Sequence, residues 1–255
     1  MQEEQTLLEA KELGLKRFRR TPFSNVSLKV TPHKIFAISG EHGSGKSALL
    51  LSLSGYMKFT SGSLKIVDAN LPSETQKSRQ YVGIGIFNGI NEFYKTQTID
   101  EILMSELKLA LHSPLFRSQY RNDINNREAL QQYAYNVLAY WKVCSPRKTE
   151  VGELTPCERM RLGIALALLK QPWLLFVDEI ETELTSEQSD LLIKDIRSYV
   201  SEHYCSCLVG VLQSDLEKQA DQVLRLIPNN EKAENSHTDS QLGEREANGG
   251  ENNAR

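Results

Sequence analysis

The sequence lacks several features, and each absence excludes a class of protein. No apolar run approaches the roughly 18 residues of a membrane span, so no transmembrane helix is expected. The 255 residues include four cysteines, which suits a reducing compartment better than a disulfide framework. The 30 basic residues do not outnumber the 33 acidic ones, so a broad basic surface for nucleic acid is not expected. The start, Met1 to Glu4, is acidic and unlike a secretory signal, so the sequence predicts a soluble, cytosolic protein.

The C-terminal stretch lacks the residues that build a core. Residues 229–255 contain no aromatic side chain, and Leu242 is their single large aliphatic residue. Six acidic residues in this stretch oppose three basic ones. Such a segment cannot bury enough apolar surface to offset the entropy of ordering. The composition therefore predicts a disordered acidic tail.

What the sequence does contain is a phosphate-binding motif. Its residues fit G-x-x-x-x-G-K-[ST], and they are Gly40, Glu41, His42, Gly43, Ser44, Gly45, Lys46 and Ser47. At average residue usage, a chance match in a chain of this length has odds of roughly one in a hundred. The glycines let backbone N–H groups point toward one anion, because a Cβ there would crowd the phosphates. The motif predicts that Lys46 reaches the β- and γ-phosphates of a nucleotide and that the Ser47 hydroxyl binds Mg²⁺.

The flanks of this motif favour the same interpretation. An apolar, β-like run at 35–38 precedes it, and a helical run at 48–53 follows it. Strand, loop and helix is the arrangement in which such loops occur. The helix places its positive end beneath the bound anion, which adds Ala48 to the predicted nucleotide-binding residues.

A second candidate site follows an apolar strand. Residues 173–177 form an unbroken apolar run, typical of a strand buried on both faces, and Asp178 and Glu179 come directly after it. Open α/β sheets carry their chemistry at the carboxyl ends of their strands. One interpretation is a metal-binding and catalytic pair. The alternative is that Glu179 is a strand-end acid held by local N–H groups.

The pattern of strands and helices predicts the fold class. Three strands are expected within residues 5–38 and another at 81–87, and helices alternate with strands after residue 155. Residues 98–145 show helical character and include a polar stretch at 117–127. The sequence thus predicts an α/β fold: a P-loop core with a largely parallel sheet, N-terminal antiparallel strands and an inserted helical subdomain. The predicted ranges are a core at 5–90 and 153–228, a helical subdomain at 91–152, and the tail at 229–255.

A small basic cluster surrounds Phe18 near the N-terminus. Its members are Lys16, Arg17, Arg19 and Arg20. They could form a solvated strand edge. They could also lie near phosphates while the Phe18 ring stacks on a nucleotide base, which makes Phe18 a candidate ATP-binding residue.

The phosphate loop, the acidic pair and the helix opening at Thr155 together resemble an ABC-type ATP-binding cassette over residues 5–228. The resemblance implies a P-loop NTPase that uses ATP and Mg²⁺. It implies that Asp178 holds Mg²⁺ through water and that Glu179 polarises the attacking water. Asn88 is the best match for a family glutamine that also reaches the metal. A separate transmembrane permease, docked near 88–98, and a second cassette are the implied partners, and nucleic acid is not.

The chain departs from the family at its signature, Leu-Ser-Gly-Gly-Gln. Thr155 retains a hydroxyl, but Pro156 has no N–H to donate. Cys157 adds a Cβ where the family has glycine, and Glu158 brings a negative charge toward an anion. In the family this segment binds the γ-phosphate of ATP held by the other subunit, so the changes affect the partner's nucleotide. The family histidine beyond the last core strand falls near Ser214, the expected switch position.

These observations leave three functions to compare. The leading one is an ATP-hydrolysing subunit that powers a separate permease at the inner face of the cell membrane, in a heterodimer with a cassette whose signature is intact. The alternative is an ATP-sensing regulatory cassette with little or no turnover, which the altered signature favours and the retained Glu179 opposes. A cassette acting on ribosomes or DNA is disfavoured, because the chain has one cassette and no basic surface.

Overall fold

The computed structural model describes residues 5–18, 20–87, 89–212 and 215–227. The strands are β1 (Leu8–Arg17), β2 (Arg20–Val30), β3 (Ile35–Ser39), β4 (Ser61–Ile66), β5 (Ala69–Leu71), β6 (Val82–Ile84), β7 (Leu174–Val177), β8 (Ser206–Val211) and β9 (Gln222–Arg225). The α-helices are α1 (Lys46–Leu53), α2 (Thr75–Ser78), α3 (Ile99–Ala110), α4 (Pro114–Gln119), α5 (Arg127–Tyr140), α6 (Pro156–Leu168), α7 (Ile180–Glu183) and α8 (Ser186–Glu202). The predicted tail, 229–255, lies outside the described residues.

A five-stranded sheet forms the centre of the fold. Its strand order is β6-β7-β8-β3-β9, and every neighbouring pair is parallel. All residues of β3, β7 and β8 are buried, as expected for continuous apolar runs covered on both faces. The carboxyl ends of the strands meet at one edge. The loop 40–47 follows β3 at that edge and Asp178 follows β7 there, with β8 between these two strands.

A four-stranded antiparallel sheet, ordered β2-β1-β4-β5, packs beside this centre. In β2, the buried residues Val26, Leu28 and Val30 alternate with exposed residues, which confirms the predicted period of two. The leucines of α1 share one hydrophobic cluster with residues of both sheets. Helix α1 is thereby held between the sheets, and its N-terminus lies at the phosphate motif.

Helices α3 to α6 and α8 contribute to a second hydrophobic cluster, which includes residues of β3, β7 and β8 from the parallel sheet. The predicted capping box begins α3: Thr98 Oγ1 accepts from the Glu101 N–H, and Glu101 Oε2 accepts from the Thr98 N–H. The mixed α/β fold is therefore confirmed, with its parallel sheet, antiparallel strands and run of helices. Within the described residues, no helix combines the length and the apolar character needed to cross a bilayer.

One detail of the sequence prediction was wrong. The strand expected at 81–87 is shorter, because after Ile84 the Gly85 carbonyl and the Phe87 N–H bond to the Asn91 side chain instead of to a strand. The polar stretch at 117–127 begins inside a helix, α4. Ser113 caps α4 and buried Phe116 anchors it by stacking on Tyr120 at 4.6 Å.

Candidate functional site

The phosphate motif forms a tight loop between β3 and α1. The Ser44 N–H donates to the Glu41 carbonyl at 3.2 Å, which closes a turn. Gly45 has a φ of 99°, and a Cβ there would lie 2.2 Å from the carbonyl oxygen of Pro22. Any other residue at this position would therefore be strained and would collide with β2. The structure brings the motif residues 40–47 together as the sequence predicts, with Ala48 in the first turn of α1.

Lys46 is the first residue of α1 and is buried. Its ammonium donates to the carbonyl oxygens of Gly40 at 2.7 Å and Glu41 at 2.8 Å, so it lies over the loop. Burial lowers the pKa of Lys46, and the negative charges of Asp178 and Glu179 oppose this shift. Lys46 therefore lies within electrostatic range of the two acids that follow β7.

Asp178 follows β7 and is also buried. Burial raises its pKa, and a hydrogen bond from the Ser47 side chain opposes that rise. Among the described residues, no group hydrogen-bonds to Asp178 Oδ1. Gly210 of the neighbouring strand β8 leaves space for this oxygen, because a Cβ at position 210 would lie 2.4 Å from it. A buried carboxylate oxygen without a partner, next to a serine hydroxyl, matches the oxygen ligands that Mg²⁺ prefers.

Glu179 stands between β7 and α7 with a left-handed backbone, at φ 47° and ψ 42°. Such a conformation costs a non-glycine residue on the order of 1–3 kcal/mol and is enriched at functional sites. Glu179 lines a small cavity together with His42 and Lys46, between the loop and the end of β8. A carboxylate in this position can orient a water molecule next to a terminal phosphate.

Glu181 belongs to the same cavity, although the sequence analysis did not select it. Its carboxylate accepts a hydrogen bond from the Leu212 N–H, at the end of β8. The sequence signal was present as a third acid, after Asp178 and Glu179. The contact that Glu181 makes could not be recognised from the sequence, because residues 181 and 212 meet only when β7 and β8 pair.

The sequence profile described as ABC transporter matches residues 23–182. The chain belongs to the ABC transporter family. One relative is the methionine import ATP-binding protein MetN of Clostridium tetani, 26% identical over 87% of this chain and 66% of the relative. Another is the phosphonates import ATP-binding protein PhnC 3 of Nostoc sp., 29% identical over 76% of this chain and 72% of the relative. The chain thus spans about two thirds of the length of the methionine relative.

Solved ABC cassettes share the fold. The cassette cbiO1 from Clostridium perfringens, part of the ABC transporter complex cbiONQ, superposes with a TM-score of 0.71. It is 18% identical, with 88% of this chain and 85% of that chain covered. A dimeric bacterial ABC transporter cassette superposes with a TM-score of 0.70 at 18% identity, covering 86% of this chain and 94% of the other. These likenesses confirm the P-loop NTPase fold expected from the sequence.

The altered signature of this ABC cassette opens α6 as the sequence predicts. Thr155 is the N-cap, and its hydroxyl accepts from the Glu158 N–H at 3.2 Å. Pro156, at the first helical position, has no N–H. Of the first three helical positions, the first has no N–H and the third has its N–H bonded to Thr155, so neither can donate to an anion. Half-buried Cys157 lies between them.

The Glu158 carboxylate points to its own chain. Its oxygens accept from the N–H groups of Cys144 at 2.9 Å and Ser145 at 2.6 Å, and from the Ser145 hydroxyl at 2.8 Å. The sequence analysis expected this charge to face an anion. Instead, the carboxylate binds donors of the segment that follows α5. These hydrogen bonds are charge-assisted, and such bonds are stronger than neutral ones.

Phe18 lies at the turn between β1 and β2 and is highly exposed. It lines an open cavity with a volume of 450 Å³ that also includes Arg17, Arg20 and Ala48. The structure thus brings the aromatic ring, two cations and the start of α1 to one place. The stacking of Phe18 on a nucleotide base stays a prediction. Arg19, Asn88 and Ser214 lie outside the described residues, so their predicted roles stay predictions as well.

A groove with a volume of 660 Å³ lies between β6, α3 and α6. Asn91 ties its wall to the sheet, because its side chain accepts from the Phe87 N–H at 2.7 Å and donates to the Gly85 carbonyl at 2.8 Å. Burial lowers the pKa of Lys170 to about 8 and raises the pKa of Glu106, and both residues line the groove. Burial within the groove thus disfavours the charged forms of both Lys170 and Glu106.

Proposed function

We propose that this chain is the ATP-binding and ATP-hydrolysing subunit that powers a separate membrane permease. The observation that carries the proposal is the convergence of Lys46, Asp178 and Glu179 at one edge of the parallel sheet. Family membership supports it, and so do relatives described as import ATP-binding proteins. These relatives favour an importer over an exporter.

Each residue has one part in the proposed reaction. The Lys46 ammonium neutralises charge on the β- and γ-phosphates of ATP. Ser47 and Asp178 would hold Mg²⁺, together with Asn88 as the sequence predicts. When bound, Mg²⁺ offsets the negative charge of the phosphates. Glu179 orients the attacking water toward the γ-phosphate.

The proposed permease binds in the groove between two parts of the chain. These parts are the core, 5–90 and 153–228, and the helical subdomain, 91–152. Exposed Leu109 lines the groove, and exposed Tyr94 follows Phe93, which also lines it; such apolar side chains suit a protein contact. The cassette would then be cytoplasmic and would lie at the inner face of the cell membrane through its permease.

The altered signature supports a heterodimer. In the family, this segment binds the nucleotide that the other cassette holds, and here Pro156 removes a donor and Cys157 adds bulk. The residues around Lys46, however, belong to this chain's own nucleotide. A partner whose signature is intact would complete the site at Lys46 and leave the weakened signature on the other nucleotide.

Assembly is the test of this function. Expressed together with its neighbouring genes, the chain should co-purify with a multi-span permease and a second, different cassette. MgATP hydrolysis by the isolated chain should be slow and should rise in the assembled complex. A chain that does not bind MgATP would contradict the function. A homodimer on the permease that hydrolyses equally at both sites would contradict the asymmetry.

Restoring the signature should strengthen closure on the partner's nucleotide. The double substitution Pro156→Gly and Cys157→Gly is expected to lower the ATP concentration for half-maximal dimer closure by about tenfold or more, since a hydrogen bond to a charged group contributes about 1.5–3 kcal/mol. Fluorescence transfer between the two cassettes measures closure. Affinity at Lys46 should not change.

Single substitutions separate the effect of the missing N–H at Pro156 from the effect of the added side chain at Cys157. Pro156→Ala restores the N–H and keeps a Cβ, whereas Cys157→Gly removes the side chain and leaves Pro156 in place. The donor argument requires the larger effect from Pro156→Ala. Equal closure in all variants would show that this segment does not grip a nucleotide.

The second candidate function is an ATP-sensing regulatory cassette with little or no turnover. The reduced set of donors at the start of α6 favours it. It differs from the leading proposal in one measurable respect, because substitution of Glu179 would not change a rate that is already negligible.

A further inference from the structure

The four cysteines of this chain form two pairs with different surroundings. Cys205 and Cys207 are buried on β8, where burial raises the pKa of the Cys205 thiol to about 12 and raises the pKa of Cys207 as well. Such thiols are inert, because the thiolate is the reactive form. Cys144 is exposed and Cys157 is half-buried, and both line one open cavity with a volume of 390 Å³ at the start of α6.

Glu158, the residue after Cys157, holds the backbone of Cys144 beside the start of α6. Its carboxylate accepts from the Cys144 N–H at 2.9 Å. The Cys144 thiol itself donates only to its own segment, to the Lys142 carbonyl at 3.4 Å. Residues 143 and 144 belong to neither a helix nor a strand, so any backbone movement that brings the two sulfurs together can take place in this segment.

Arg161 lies one turn after Cys157 on α6 and contacts its sulfur. Burial disfavours the charged guanidinium, but hydrogen bonds to Asp195 and to the Cys157 side chain outweigh this effect and raise the pKa of Arg161. The bond from Arg161 Nη1 to Asp195 Oδ2 is 2.7 Å long and keeps the cation in place. A cation beside a cysteine promotes reaction at the sulfur, since it attracts the negative charge of a thiolate. Cys157 is therefore the better nucleophile of this pair.

We propose that Cys144 and Cys157 form a reversible disulfide in the presence of a peroxide, and that this bridge controls the altered signature. The Cys157 thiolate attacks one oxygen of hydrogen peroxide, the O–O bond breaks, and a sulfenic acid and hydroxide form. The Cys144 sulfur then attacks the sulfenic sulfur, the S–O bond breaks, and the leaving oxygen departs as water with the thiol proton. The two sulfurs lose two electrons, which the peroxide gains, and a thiol reductant reverses the change.

The effect on nucleotide-dependent closure rests on the proposed function. In that function Cys157 belongs to the segment that closes on the partner's nucleotide. A bridge would hold residue 157 against its own chain, so the segment could adjust less to a phosphate. Oxidation should therefore weaken closure. Formation of the bridge needs neither nucleotide nor partner, so it can be tested separately on the isolated chain.

Mass spectrometry of the isolated full chain locates the bridge. After treatment with hydrogen peroxide and digestion with trypsin, peptides 143–147 and 149–159 should be linked to each other until dithiothreitol is added. The chain should still migrate as a monomer on a non-reducing gel. Cys205 and Cys207 share another tryptic peptide, 198–218, and should stay as free thiols. Free thiols at 144 and 157, a sulfinic acid at 157 without linkage, or a bridge between two chains would overturn the proposal.

Cysteine variants give the matched controls. Cys144→Ser and Cys157→Ser should each abolish the linked peptide, whereas Cys205→Ala should retain it. A cross-link restricts the unfolded chain, so peroxide should raise the melting temperature of the wild-type chain and of Cys205→Ala, and of neither serine variant. A linked peptide that persists in either serine variant would contradict the assignment.

Closure of the assembled complex tests the control of the signature, with fluorescence transfer between dyes that do not react with thiols. Peroxide should raise the ATP concentration for half-maximal closure of the wild type by about tenfold, the effect of one lost hydrogen bond to a charged group. Dithiothreitol should reverse the change, and Cys144→Ser should not respond to peroxide. An equal response in Cys144→Ser, or unchanged closure while the linked peptide is present, would overturn control by the bridge. A chain that forms the linked peptide but does not bind MgATP would support the bridge and contradict the proposed function.

Discussion

Glu179→Gln is expected to lower ATP turnover of the assembled transporter by about 10²-fold or more, since general acid–base assistance contributes 10²–10⁴-fold. The side chain keeps its size and loses the charge that orients water in the cavity beside Lys46. ATP should still bind, because the groups that hold its phosphates are unchanged. The variant should therefore trap ATP, which filtration with radiolabelled nucleotide measures alongside the rate of phosphate release.

The matched control is Glu187→Gln, the same chemical change in the first turn of α8. Glu187 is exposed and lies outside the cavity, so turnover should be unaffected. An unchanged rate in Glu179→Gln, in a preparation free of other ATPases, would favour the regulatory cassette instead.

Lys46→Ala is expected to reduce MgATP affinity by roughly 10- to 150-fold, which corresponds to about 1.5–3 kcal/mol for a lost charge-assisted contact. The loss has a second cause in this structure. Without the ammonium, the negative charges of Asp178, Glu179 and Glu181 would lose the cationic side chain that lies among them, and they would repel the phosphates more strongly. Calorimetry with the isolated chain measures the affinity directly.

Thermal unfolding gives an independent measure of the same effect. A ligand that binds the folded state raises the melting temperature, so at one MgATP concentration the rise should be smaller for Lys46→Ala than for the wild-type chain. Lys194→Ala, an exposed lysine on α8, is the control and should retain the full shift. Equal ATP affinities in wild type and Lys46→Ala would refute the assignment of the loop.

The sequence predicted the parts of this molecule that are encoded locally. The loop 40–47 follows from its glycines and lysine, and the start of α6 follows from Thr155 and Pro156, because caps and tight turns depend on neighbouring residues. The buried strand β7 follows from its apolar run. Asp178 was selected because it comes directly after that strand.

Features that depend on distant residues were not predictable in the same way. The contact of Glu181 with Leu212 requires β7 and β8 to be paired. The cavity that Lys46 and Glu179 line forms only when the loop, β8 and the segment after β7 meet.

The bonds of Glu158 have an evolutionary consequence. A glutamine at this position, as in the family signature, would exchange a carboxylate that holds Cys144 and Ser145 for a neutral amide. That exchange alone would weaken the junction between α5 and α6. The effects of substitutions at 144, 145 and 158 are therefore expected to be non-additive, and the order in which such substitutions arise decides which of them are tolerated.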